Sequence, residues 1–285
     1  MSSPTKNLAN EVGVSEDQLN QFDEWFKTYC ESFNELSAPQ ERNFLLKKVH
    51  TFEVRKNCKL IAESLGLSGE HVYLAETIGL FHDVGRFEQI KQFNTFSDSH
   101  SFDHGDFGVK VLKELDLLLP LSQKTQEIIL SSVKLHNKFI LPQDLKRAVE
   151  LFVKIVRDAD KVDIFRVLLK HYKKSRKEQD SNVTLNLKDE PRVSEIVIDK
   201  ALRGEMVKKA DLKFVNDFKI MQAAWVYDFT FEKSWELVKH NRYIEQLLET
   251  IPETEKVRAL KKKLYNHQMP ASGASDFKGV IWMPE

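Results

Sequence analysis

Apolar residues recur at three- and four-residue intervals through most of the chain, the period of a helix with one buried stripe. The pattern predicts helices over about 15–36, 40–65, 70–84, 104–117, 122–137, 143–175, 192–208, 211–228, 232–250 and 253–267. Punctuation agrees with these spans. Pro39 opens the second helix, Gly66 and Gly69 separate it from the third, Gly85 ends the third, Pro142 precedes the sixth and Pro252 the last. Strand signals are few, and the clearest two-residue alternation is "NVTLNL" (182–187), which reads as a short β excursion or insertion between charged runs. The expected fold is all-α, with 1–285 as a single helical unit. Its tail, 268–285, is rich in small residues and Pro, and is either loose or pinned by Ile281 and Trp282.

Several of the buried stripes carry side chains that do not belong in an apolar core. On the second helix Val54, Cys58, Ile61 and Leu65 form a stripe, and four residues before Val54 stands His50. Ala75 and Ile78 lead to His82 in the same way, with Asp83 next to it. On the helix at 143–175 the stripe Leu151, Ile155, Val162, Phe165 and Leu169 has one gap, and Asp158 fills it. Burying a carboxylate alone costs several kcal/mol, so a positive partner is required there. His104 shares a stripe with Gly108, Val111 and Leu115, and His136 with Ile129 and Val133.

A lone inward histidine is more often a satisfied core residue than a ligand. Four histidines and two aspartates converging from five helices point instead to a transition metal, which takes neutral imidazoles and carboxylates. Neighbours at a helix end are splayed by about 100 degrees, so His82 and Asp83 approach a metal from two sides. One carboxylate can also bridge two ions, one on each oxygen.

The order His50, then His82-Asp83, then Asp158, set in "HDVGRFE" and "RDADKVDIFR", resembles the HD-domain metal-dependent phosphohydrolase superfamily. The resemblance covers roughly 45–170. It implies an HD-domain helical bundle as the metal-binding core; beyond it no signature maps, and 171–267 is expected as a helical extension packed on that core. It implies that His50, His82, Asp83 and Asp158 hold one divalent metal. Many members add two histidines between the dipeptide and the last aspartate, and His104 and His136 match those positions, so two ions bridged by Asp83 are expected. Manganese, iron, zinc, nickel and cobalt all suit such donors. The activity implied is hydrolysis of a phosphomonoester or phosphodiester, of a nucleotide or a related small phosphate, by metal-activated water. Asp83 is then the catalytic residue as well as a ligand. The alternatives are a metal-bound module that senses a nucleotide without turnover, and a di-iron oxygenase on the same scaffold. The "GYP" motif of cyclic-di-GMP phosphodiesterases is absent from the sequence.

Arg86, Lys138 and Lys161 are the candidate phosphate binders. Two have a plainer reading: Arg86 as a surface charge at a helix end, and Lys161 as a partner for Asp158 or Asp160. Asp160, Asp163 and Glu88 read as solvated or helix-pairing charges.

Composition narrows the partners. Lys plus Arg and Asp plus Glu each total 43, so no net field draws the protein to nucleic acid or an anionic membrane. The basic run Lys261–Lys263 reads as a solvated face. Cys30 and Cys58 are the only cysteines, and they form no thiolate cluster. With no leader-like segment and no long apolar run, a soluble cytoplasmic protein is expected. Homo-oligomerisation stays open. In the second half, Phe214, Phe218, Met221 and Trp225 follow helical spacing, which favours packing over base stacking for an aromatic-rich stretch that also includes Tyr227, Phe229, Phe231 and Trp235.

Overall fold

Helix starts are set by side chains that satisfy free backbone N–H groups. In the computed structural model, which describes residues 12–174, 183–267 and 269, Ser15 Oγ accepts from Gln18 N and Gln18 Oε1 accepts from Ser15 N. This reciprocal pair opens α1 (Glu16–Glu31). Ser37 N donates to Gln40 Oε1 and Pro39 sits in the first turn of α2 (Ala38–Ser64). Then follow α3 (Gly69–Phe81), α4 (Val84–Phe93), α5 (His104–Glu114), α6 (Gln123–Leu135) and α7 (Arg147–Tyr172). Asp103 caps α5 by accepting from the N–H groups of Gly105 and Asp106.

The described residues divide into two units at Asp160/Lys161, within α7. In the first unit, rings from α1 pack edge-on against those of α2, α3 and α4. Phe26 meets Phe52 and Phe87, and Phe22 meets Phe81. Phe26, Phe81 and Phe87 are fully buried, and truncating any one of them to Ala costs about 3–5 kcal/mol.

The second unit holds α8 (Glu195–Arg203), α9 (Val215–Ala223), α10 (Glu232–His240), α11 (Tyr243–Glu249) and α12 (Glu255–Tyr265). Val162, Phe165 and Leu169 from α7 join one apolar core there with Ile198, Ile220, Val238, Leu247 and Leu260. Phe218, Phe229, Phe231 and Trp235 are buried, so most of the aromatic-rich stretch is packing. Buried Asp217 gathers the loop before α9 by accepting from Ser194 N and Oγ, Lys213 N and Phe214 N.

The all-α expectation holds: among the described residues there is no strand. The alternating stretch folds as a turn over 183–186, with Leu185 and Asn186 in the left-handed region, and only Lys188 makes an isolated bridge, to Phe214. Left-handed backbone cannot propagate a ladder, which is why alternation alone misleads here. The span 232–250 is two helices, interrupted where Arg242 has φ 52°. No helix among the described residues is long and apolar enough to cross a membrane. Apart from Met269, the tail 268–285 lies outside the described residues.

Candidate metal centre

The junction of α3 and α4 presents the His-Asp dipeptide. His82 caps α3, its N–H bonded to Ile78 O, and Asp83 stands at the N-cap of α4 with φ −106° and ψ 14°. That backbone conformation is sparsely populated and recurs at active sites. The expectation that Gly85 ends a helix is corrected, because Gly85 lies in the first turn of α4. Its role is close approach: a Cβ there would lie 2.4 Å from His104 O and 2.8 Å from Gly108 N of α5. The missing side chain lets α5 bring His104 to Asp83.

Asp83 presents one oxygen to each of two imidazole pairs. Oδ2 lies 3.6 Å from His50 Nε2 and 3.4 Å from His82 Nε2. Oδ1 lies 3.5 Å from His104 Nε2 and 3.8 Å from His136 Nε2. These four histidines and Asp83 are almost fully buried. Three overlapping groups have donor spacing suited to a metal ion: His50, His82 and Asp83; His82, His136 and Asp160; and Asp83, His104 and His136.

Tautomers show why a cation fits. His82 Nδ1 lies 2.8 Å from Gly79 O and His136 Nδ1 2.8 Å from Val133 O. A carbonyl only accepts, so each Nδ1 carries the proton and each Nε2 carries a lone pair. His104 Nδ1 likewise donates to the Asp98 carboxylate at 2.7 Å. The Nε2 atoms of His104 and His136 are nevertheless 3.1 Å apart. Two lone pairs facing each other in a buried site repel, and a metal ion between such donors converts the repulsion into ligation.

Asp160 is the carboxylate that meets these imidazoles on α7. Its Oδ1 lies 3.0 Å from His50 Nε2 and 3.9 Å from His82 Nε2. The sequence reading placed Asp158 in that position and took Asp160 for a solvated charge, and the structure reverses the two. Residues two apart on a helix point about 200 degrees apart, so the two aspartates face opposite ways. Asp158 is buried, but it is in none of the three groups. The misreading has a physical source. Leu151, Phe152, Val153, Ile155, Val156 and Ala159 are all buried, so an apolar stripe along α7 does not distinguish its metal-facing side.

The electrostatics favour binding. Burial works against charge on Asp83, but Lys47 and then His82 hold its carboxyl well below the ordinary range. Burial likewise opposes charge on Asp160, and the bond to His50 keeps it low. Burial pushes His82 down, and burial together with the Arg86 charge takes His104 down to about 3. At neutral pH His82 and His104 are therefore uncharged and Asp83 and Asp160 ionised, the state in which both kinds of group ligate metals.

Lys47 and Asp98 went unrecognised in the sequence. Lys47 Nζ lies 2.6 Å from Asp83 Oδ2; its signal was its place one turn before His50 on the same face. Asp98 fixes His104 and also accepts from Arg86 at 2.8 Å. It opens a single 3-10 turn, Asp98–His100, before α5, too short for periodicity to carry information.

The three candidate phosphate binders differ in setting. Arg86 Nη1 donates to Gln89 Oε1, Phe96 O and Asp98 Oδ1, while its buried Nε has no hydrogen-bond partner and lies 3.6 Å from Asp83 Oδ1. Lys138 pairs with Asp103 at 2.6 Å and Asp106 at 3.2 Å. Lys161 belongs to the second unit, where it pairs with Asp228.

No curated protein and no solved structure matches this chain. The family model described as HD domain matches residues 49–164. That span contains His50, His82, Asp83, His104, His136 and Asp160. Residues 49–164 of the chain therefore match an HD domain.

Proposed function

We propose that the protein is a metal-dependent phosphohydrolase that cleaves a phosphomonoester or phosphodiester of a nucleotide or similar small phosphate. The observation that carries this reading is the split carboxylate: Asp83 turns one oxygen to His50 and His82 and the other to His104 and His136. Such a donor set suits one or two divalent transition metals, with His50, His82, Asp83 and Asp160 as one set and His104 and His136 sharing Asp83 in the other. A metal bound there supplies an acidified water and polarises a phosphoryl oxygen. The residues do the rest. Asp83 holds its charge in a buried setting, and where only one of its oxygens is needed to hold a metal the other would orient the attacking water. Asp98 fixes the ring of His104. Arg86 directs its unpartnered Nε toward the Asp83 side of the site, where a phosphoryl oxygen can accept from it.

The test is phosphate release by the purified full-length chain, loaded in turn with manganese, iron, zinc, nickel or cobalt, on a panel of nucleotides and phosphoesters. Release that requires metal, and that disappears in folded His82→Ala and Asp83→Ala variants, supports the proposal. Metal-loaded protein that binds a nucleotide but releases nothing would replace it with a sensing module.

A further inference from the structure

Each cation near the ligand cluster is anchored differently. Arg86 Nη1 is held by three acceptors that are not ligands, and Lys138 by Asp103 and Asp106, which are in none of the three ligand groups. Lys47 is held by a ligand. Its ammonium contacts Asp83 Oδ2 at 2.6 Å, and that is the oxygen turned to His50 and His82. It also lies over the Phe96 ring, 5.5 Å from Nζ to the centroid, and its side chain is 14 % exposed.

An ammonium is a donor and never a ligand. A metal held by His50, His82 and Asp83 needs the oxygen that Lys47 occupies, and two cations on one oxygen repel. Lys47 stands on a flexible four-carbon stem at a partly open edge of the site, so it can give way without disturbing the fold. The geometry points to Lys47 as a displaceable counter-ion: it neutralises Asp83 until a metal takes Oδ2, and its released ammonium then anchors the phosphoryl oxygens of the substrate. The second half of this inference rests on the phosphohydrolase reading.

The experiment compares wild-type, Lys47→Met and Lys47→Arg protein, full length and stripped of metal. Lys47→Gln, which keeps a donor without the charge, stands in if the Met variant does not fold. Manganese affinity is measured by chelator competition, and melting temperature with and without manganese. Removing the competitor should tighten manganese binding about tenfold, the value of one charge-assisted hydrogen bond. It should also lower the melting temperature of the stripped protein more than that of the loaded protein. Inorganic phosphate titrated into manganese-loaded protein should bind about tenfold more weakly to Lys47→Met, and near wild-type strength to Lys47→Arg.

Unchanged or weaker manganese binding, with equal loss of melting temperature in both states, makes Lys47 an ordinary structural ion pair and overturns the inference. Tighter manganese with unchanged phosphate binding removes the anchoring role. Wild-type protein that takes up no manganese or other divalent metal removes both this inference and the function proposed above, whereas metal binding that is indifferent to Lys47 sinks Lys47 alone.

Discussion

His104 and His136 face each other through unprotonated Nε2 atoms 3.1 Å apart, because both Nδ1 atoms already donate elsewhere. A cation between them is stabilising to the folded state and absent from the unfolded one. Metal-stripped protein should therefore melt below metal-loaded protein, with a stability gap of about 2.7 kcal/mol at a hundredfold excess over Kd. Differential scanning fluorimetry with chelator, then with added manganese, reads this directly. A melting temperature indifferent to both reagents contradicts the site.

The assignment of Asp160 over Asp158 separates by metal content. Asp160→Asn should lose bound metal, because its carboxylate is the one beside His50 and His82. Asp158→Asn should keep metal and show its cost in stability, since the residue is buried. Elemental analysis of the two folded variants decides, and equal metal loss in both would return Asp158 to the ligand set.

Asp98 acts through His104. Removing it in Asp98→Ala frees the imidazole to rotate and change tautomer, and also takes away one of the three acceptors of Arg86. Outer partners of this kind are worth about 10- to 100-fold in metal affinity, and a loss in that range is expected by chelator competition. Affinity equal to wild type would show that His104 is positioned without it.

Stability of the metal-stripped protein should fall as pH drops from about 6.5 toward 4. Burial holds His82 and His104 below their unfolded values, His104 down to about 3. In that window the unfolded chain binds protons that the native imidazoles refuse, so the unfolded state gains as pH falls. The carboxylates with lowered values add their own loss only below about pH 4. Denaturant midpoints measured between pH 7.5 and 4 check the slope, and a flat profile across that range refutes it.

Most of the ligand cluster was legible in the sequence because each histidine interrupts an amphipathic stripe at the slot where an apolar residue belongs. His50, His104 and His136 each sit on a helix with a distinct buried face, so periodicity gives their direction. It fails on α7, where so many positions are buried that Asp158 and Asp160 look alike to a pattern. It fails also at α4, where Gly85 reads as a stop although its smoothness serves helix contact. Asp98 was invisible for a different reason: its role arises from tertiary neighbours and not from any local period, whereas Lys47 carried a signal, its place one turn before His50, that was not read.

Gly85 and Gly108 set main chain against main chain between α4 and α5. Main-chain atoms have no rotamers to exchange, so the interval from the Asp83 carboxylate to the second imidazole pair is a fixed gauge. Repacking of the surrounding apolar residues would then be felt as lost stability well before it retuned that interval, while a single methyl group at position 85 would open it. The tolerance of the centre is concentrated in one hydrogen atom, far smaller than any of the groups that do its chemistry.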